Sequence, residues 1–418
     1  MKRQLTIPAG AVFLFAVFGC GRREDGAVQS AFSVDSIASP AGPGSAEPNL
    51  STGPDGRVYM SWLEPADSGH ALRFAVHDGA TWTTARTIVA RRDFFVNWAD
   101  FPSLVVLDSQ RLGAHWLQRS GPGTYAYGVH VAQSNDHGGT WGNPVISHRD
   151  SSQTEHGFVA MWRESGKVGA VWLDGRKFKP AGHDAPGATS HSAGNEMMLV
   201  TTTLSPDGTR GAEVRLDERT CDCCQNAAAM TNTGPIVAYR NRSPDEIRDI
   251  YVTRRVGGKW LPGTPVHDDN WQIAACPVNG PALAAQGDRV ALAWFTAAHD
   301  SARVKVAFSN DAGASFEAPI RVDGGSPAGR VDVAMLADGA ALVTWIERTG
   351  GDTAAVRVRR ISPGGKAGAP VTVASASAAR ASGFPQMAIT GTNVVFAWTV
   401  PGRPSAIRVA RAPVSDIR

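Results

Sequence analysis

Seven times after residue 48 the chain repeats one short sentence: an apolar strand that ends in Trp or Tyr, a loop, an alternating strand, a Gly-containing turn and another short strand. The marker strands end at Trp62, Trp116, Trp172, Tyr239, Trp294, Trp345 and Trp398, spaced by 54, 56, 67, 55, 51 and 53 residues. Each candidate strand shows period-2 alternation and β-branched or aromatic enrichment between turn residues. Four short strands repeating about every 53 residues are the pattern of a propeller blade, which buries its faces only against neighbouring blades. The expected fold class is therefore all-β: a seven-bladed β-propeller of four-stranded antiparallel blades, with six blades as the alternative. The seventh unit stops after its third strand, near Arg411. Its outer strand is expected from Ala31–Ile37 at the N-terminus, which would close the ring and leave only short sheet edges.

Composition agrees with a repeat. Of 418 residues 43% are hydrophobic, enough for a large core, and 71 are Gly or Pro, the turn residues of many short strands. The 41 basic residues face 38 acidic ones, which argues against nucleic acid as a partner. Lys accounts for 7 of the basic residues and Arg for 34, a bias that makes a single Arg weak evidence of a site.

The first twenty residues read as an export signal: Lys2 and Arg3, then an apolar run from Ala9 to Phe18 too short to span a bilayer. The run ends Val17-Phe18-Gly19-Cys20, which resembles a bacterial lipobox, and the resemblance implies that Cys20 is lipidated. The expected organisation is a signal peptide with lipobox at 1–20, a linker at 21–30 and one propeller domain at 31–418. The implied location is the bacterial cell envelope, with the chain exported, lipid-anchored on the periplasmic or outer-surface side, and monomeric.

Two turns between third and fourth strands carry a specific motif. Ser134, Asp136, Gly138 and Trp141 lie in SNDHGGTW, and Ser309, Asp311, Gly313 and Phe316 lie in SNDAGASF. The Asp is placed to accept turn amide hydrogens, the Gly to take positive φ, and the aromatic to plug the blade edge. On these residues the chain resembles the sialidase-like Asp-box (BNR-repeat) propellers of the neuraminidase superfamily. The resemblance implies a glycan as ligand and exo-α-sialidase-like glycoside hydrolysis as the chemistry. The family's Arg-Ile-Pro segment and late Tyr nucleophile have no counterpart here, since Tyr251 is the last tyrosine. Activity is therefore left open.

The unusual residues gather on the loops of one propeller face, in blades two to five. Candidate catalytic carboxylates are Asp100, Asp174, Glu246 and Asp249, of the kind that could serve glycoside hydrolysis in pairs. Candidate ligand-binding residues are Arg176, Arg240, Arg242, Arg248, Trp98, Trp271 and Asn279, able to hold a glycan or another small polar or anionic ligand. A long loop at about 173–197, with His183, Asp184 and His191, reads as a lid or as an insertion without a role.

Four further cysteines, Cys221, Cys223, Cys224 and Cys276, fall in loops that open adjacent blades. An exported chain favours disulfides. A Cys223–Cys224 bridge would join Cα atoms only about 3.8 Å apart, so Cys221–Cys224 with Cys223–Cys276 is the least strained full pairing. A thiolate site for zinc or copper, with His156, His183 or His191 assisting, and a redox or reactive thiol are the alternatives. A third class, a non-catalytic interaction scaffold, remains because the loops of blades one, six and seven are bland.

Overall fold

The computed structural model describes residues 34–67, 69–178 and 196–418. Cys20, the signal segment, the linker, His183, Asp184 and His191 lie outside the described residues. The strand at Asp35–Ile37 (β1) precedes blade one, whose strands are Ala46–Thr52, Val58–Ala66, Gly69–His77 and Arg86–Arg91 (β2–β5). Blade two comprises Ser103–Val106, Leu112–Arg119, Tyr127–Ser134 and Val145–Ile146 (β6–β9). Blade three comprises His156–Glu164, Lys167–Asp174, Met197–Leu204 and Val214–Thr220 (β10–β13). Blade four comprises Ala227–Met230, Pro235–Arg240, Ile250–Val256, Lys259–Trp260 and Thr264–Pro265 (β14–β18). Blade five comprises Ala282–Gln286, Arg289–Thr296, Arg303–Ser309 and Ile320–Arg321 (β19–β22). Blade six comprises Pro327–Met335, Ala341–Gly350, Thr353–Ile361 and Val371–Ser377 (β23–β26). Blade seven comprises Gln386–Thr390, Asn393–Val400 and Ala406–Pro413 (β27–β29).

Each blade is an antiparallel sheet in chain order, and blade seven is completed by β1, which pairs with β29 through Asp35–Arg411 and Ile37–Val409. The expected seven blades are present, and the closing strand expected over 31–37 is seen at Asp35–Ile37, residues 31–33 lying outside the described residues. Blade four departs from the pattern, because its outer edge is divided between the two short strands β17 and β18.

The core follows the ring. Seven apolar clusters form, one at each junction between neighbouring blades, including blade seven against blade one. The marker aromatics sit in these clusters or beside them, all buried. Their indole N–H groups need acceptors once buried. Four of the marker strands supply one two residues later, on the same side of the strand: Gln118 for Trp116 at 3.4 Å, and a carboxylate in the other three. Trp62 donates to Glu64 at 2.8 Å, Trp172 to Asp174 at 2.9 Å and Trp345 to Glu347 at 2.5 Å. The Trp-x-acid spacing therefore marks a buried donor with its own acceptor. Truncating Trp172 to Ala would remove about 3–5 kcal/mol of packing and one of the donors to Asp174.

The two motif turns are the same structure twice. In the first, Ser134 Oγ donates to Asp136 Oδ1 at 2.8 Å, and the amides of Gly138 and Thr140 donate to Ser134 Oγ and Asp136 Oδ1, each at 2.8 Å. In the second, Ser309, Asp311, Gly313 and Ser315 repeat those bonds at 2.7–2.9 Å. Gly138 and Gly313 have φ of +77° and +79°, and a Cβ on either would lie 2.3 Å from Phe74 or 2.2 Å from Ile236 of the preceding blade. Both turns thus press against the blade before them, which leaves room only for glycine.

Candidate functional site

The seven inner strands surround an axial cavity of about 260 Å³. Its lining includes Asn49, Ser51, Asp100, Ser103, Gln225, Asn226, Asp332 and Gln386, with Phe101, Phe158 and Phe384 among the apolar groups. No Arg, Lys or His lines it among the described residues. Between blades one, five, six and seven there is a separate, more apolar groove of about 870 Å³. Its two charged residues, Asp338 and Arg360, pair with each other.

Three inner strands enter the cavity through the same distortion. Glu47, Phe158 and Arg330 have φ of +60°, +53° and +58°, and each lies where the register of its strand shifts against the next strand. A left-handed non-glycine residue costs on the order of 1–3 kcal/mol and needs external support. That support comes from the preceding blade each time. Asp100 Oδ1 accepts the Phe158 amide at 2.7 Å, Asn279 Oδ1 accepts the Arg330 amide at 2.7 Å, and Thr399 Oγ1 accepts the Glu47 amide at 3.2 Å. Bulges held in this way re-aim side chains at sheet ends.

Asp100 is central to this arrangement. Its Oδ2 is 2.8 Å from Tyr127 Oη, which also lies 2.9 Å from Glu155 Oε1. One phenol hydrogen cannot serve two carboxylates, so a proton on one carboxyl completes the chain. Burial pushes Asp100 up to about 7, against the pull of its bonds from Tyr127 and the Phe158 amide. Burial raises Glu155 well above the carboxylate range, and the charges of Asp222, Asp100 and Cys276 raise it further, against the Tyr127 bond. Glu47 is raised by burial and by the charge of Asp100. Asp332 is pushed by burial up to about 6, although it accepts the amides of Met387 and Val333. Gly157 permits the packing, since a Cβ there would fall 2.0 Å from Asp100 Oδ2.

Two buried acceptors here have no hydrogen-bond partner: Asn226 Oδ1, on the cavity wall, and Glu47 Oε2. Buried polar atoms are rarely left this way without a ligand or water. Near this cavity Trp98 stacks on Phe384 at 6.0 Å and 15°, and the Arg330 guanidinium lies 4.9 Å from the Trp98 ring centre. Gln225 ties the loops together, donating to Ala99 O and accepting the Gly280 amide.

The other sequence-derived candidates gather in the same loops, but most are bound to one another. Arg240 is buried and donates to the carbonyls of Asn279, Arg248 and Phe295 at 2.6–3.1 Å, with Trp271 stacked 4.9 Å away. Arg242 and Arg248 both grip Glu246 at 2.8 Å, and these bonds hold its carboxyl down to about 2 in spite of partial burial. Asp249 accepts the amides of Asn270 and Trp271. Arg176 clamps Asp174 and reaches Glu213 at 3.0 Å. Asp174 is in turn 3.6 Å from His156 Nε2.

His156, His148 and Asp150 are close enough to suggest a metal site, but the hydrogen bonding argues otherwise. Both ring nitrogens of buried His156 face oxygens only: Thr154 O at 3.1 Å on one side, Asp150 at 3.0 Å on the other. A ring that donates from both nitrogens is an imidazolium and has no lone pair for a metal. Burial alone would lower its pKa; the bond to Asp150 and the charges of Asp174 and Asp150 outweigh burial and raise it.

The cysteines form one cluster. Cys221 Sγ lies 3.5 Å from Cys224 Sγ and 3.8 Å from Cys223 Sγ, too far for a bond of about 2.05 Å. All four are free thiols, with Cys221 and Cys224 buried and Cys276 exposed. The trio Cys221, Cys223 and Cys224 could hold a metal, as could Asp222, Cys223 and Cys276. Arg248 Nη1 donates to Cys221 Sγ at 3.2 Å, and Asp222 Oδ2 is buried without a partner.

Tyr127, Glu155, Asp332, Glu47 and Asn226 were not singled out by sequence reasoning. Glu155 stands in one of the loops that drew attention, next to His156. Nothing local marks the others, because their roles come from contacts across blades.

No family model matches the chain, and no curated protein matches it in sequence. Among solved structures, a protein of unknown function from Dyadobacter fermentans is 14% identical, with a TM-score of 0.51 over 92% of this chain and 98% of that one. The polysaccharide lyase Uly1 is 9% identical, with a TM-score of 0.53 over 88% and 90%. A Trypanosoma rangeli sialidase, solved with sialic acid, is 13% identical, with a TM-score of 0.49 over 81% of this chain and 56% of that one. At such identities the likeness is one of fold.

Proposed function

We propose that this protein binds a neutral saccharide in the axial cavity, close to Asp100 and Phe384. The observation that carries the reading is the cavity wall: carboxyl and amide groups, aromatic rings and no basic side chain among the described residues. Asp100 and Asp332, pushed to about 7 and about 6, carry protons for part of the time at neutral pH and can donate to sugar hydroxyls. The unpartnered Asn226 Oδ1 accepts from such a hydroxyl. An anionic sugar would meet raised carboxyls and no counter-cation, so a neutral one fits better. That one of the fold neighbours is a polysaccharide lyase is in keeping with a carbohydrate ligand.

A glycan array followed by calorimetry tests this. Wild type should bind neutral oligosaccharides, and Gln386→Ala and Phe384→Ala should weaken binding by about 10-fold or more, as expected when a buried hydrogen bond or packed ring is lost. Absence of binding across the array, or retention only of sialylated glycans, would overturn it. Release of reducing sugar from a bound glycan would add turnover to the reading.

A second reading has its own observation. Three thiols in mutual contact, two of them buried and none bonded, suit a thiolate site for zinc or copper. Metal analysis of protein purified without reductant, with a thiol count, tests it: four bridged cysteines and no metal would remove it.

A further inference from the structure

We infer that Cys221, Cys223 and Cys224 form a three-coordinate copper(I) site, whose charge is balanced by the buried guanidiniums of Arg240 and Arg248 and whose entrance is Cys276 with Asp222. The inference rests on the thiolate-metal reading above and goes further by fixing the metal, the ligands and the charge.

Ligand number comes first. A zinc tetrahedron of four sulfurs with bonds of about 2.3 Å needs all six sulfur–sulfur edges near 3.8 Å. Cys221 meets that spacing with Cys224 and Cys223, at 3.5 and 3.8 Å, and all three sulfurs lie within 4.8 Å of one another. Cys276 does not join that group. It is grouped instead with Cys223 and Asp222, its Sγ 3.7 Å from Asp222 Oδ1. The four sulfurs thus form a triangle, with Cys276 joined to it at the Cys223 corner alone. Zinc in structural sites is almost always four-coordinate, whereas soft thiolates suit copper(I), which is content with three donors.

Charge gives an independent reason. One copper(I) ion with three thiolates carries two negative charges. Arg248 is fully buried and already donates to Cys221 Sγ at 3.2 Å. Arg240 is buried too; its hydrogen bonds go to backbone carbonyls, and its charge acts on the Asp249 carboxylate and on Cys224. A thiolate–metal centre beside these two guanidiniums is stabilised by their positive charge. Asp222 lies with Cys223 and the exposed Cys276; its Oδ1 is 3.5 Å from Arg248 Nη1, while its Oδ2 is buried without a hydrogen-bond partner and can hold an arriving cation. Copper arrives already reduced; three thiol protons leave to solvent as three Cu–S bonds form, and no electron is transferred.

The test uses the full-length protein, anaerobic and freshly reduced, with copper(I) kept reduced by ascorbate and competed against bathocuproine disulfonate. One copper(I) per chain is expected, with three sulfur neighbours by X-ray absorption. Cys276→Ser should keep that stoichiometry, while Cys224→Ser should weaken binding by about 100-fold or more, beyond the usual cost of an outer-sphere change. The sulfur count on wild type needs no variant to fold. Preference for zinc with four sulfurs including Cys276 would overturn the copper site and leave the metal reading standing. Four titratable thiols that take up neither metal would overturn both.

Discussion

Replacing Asp100 by Asn isolates the buried proton next to the cavity. The amide fits the existing bonds: its Oδ1 can accept the Phe158 amide, and its Nδ2 can donate to Tyr127 Oη, which then gives its own hydrogen to Glu155. Near pH 4 the wild-type carboxyl is neutral, so the two proteins should have similar stability. Asp100 is held up to about 7, against 3.8 for an ordinary Asp. In that interval the folded state binds more protons than the unfolded one, so wild-type stability falls as pH rises. A shift of about three units at 1.36 kcal/mol per unit gives roughly 4 kcal/mol from Asp100 itself. Glu47 and Glu155 feel the charge of Asp100, so they ionise more easily in the variant, which adds to its gain toward the upper end of the pH range. The assay is urea unfolding followed by Trp fluorescence at pH 4 to 8. The variant should gain on wild type steadily between pH 4 and 8. A difference independent of pH, or a variant several kcal/mol less stable at pH 8, would refute the buried-proton argument, since Asp100 would then be a stabilised anion.

His156→Gln should lower stability where Asp100→Asn raises it, although both variants gain on wild type as pH rises. The raised His156 pKa stabilises the fold fully below about pH 6.5, the unfolded value, and that contribution is lost as pH rises through the folded value. The deficit of the variant in urea unfolding should therefore be larger at pH 6 than at pH 9. Gly138→Ala and Gly313→Ala should each lose about 1–3 kcal/mol from left-handed backbone strain alone, and more from the contacts with Phe74 and Ile236, read as a lower thermal midpoint. Ile37→Asp in the closing strand should lower the midpoint as well, because Ile37 packs on the junction of blades seven and one.

Much of the fold was written in the spacing of Trp62, Trp116, Trp172, Tyr239, Trp294, Trp345 and Trp398, because each blade must bury one such residue against its neighbour. The closing strand was legible too, as the complement of a blade with three strands. The split edge of blade four was not, since two-residue strands carry no period. For the site, loop order alone brought the residues of blades two to five together. What sequence does not carry is burial: Arg240 and Arg248 look like surface forks in a string of loop residues, yet they are 2% and 0% exposed and tied to carbonyls, Glu246 and a thiol. Tyr127 reads as the start of an ordinary strand. Its contact with Asp100 and Glu155 exists only once blades two and three are adjacent.

The most direct test of the central claim is an atomic-resolution structure from crystals soaked in concentrated neutral mono- and disaccharides. A sugar ring in the axial cavity, with hydroxyls on Asp100, Asn226 or Gln386 and an apolar face toward Phe384 or Phe101, is the expected result. An empty axial cavity, or sugar found only in the separate groove around Met335 and Met387, would contradict the account.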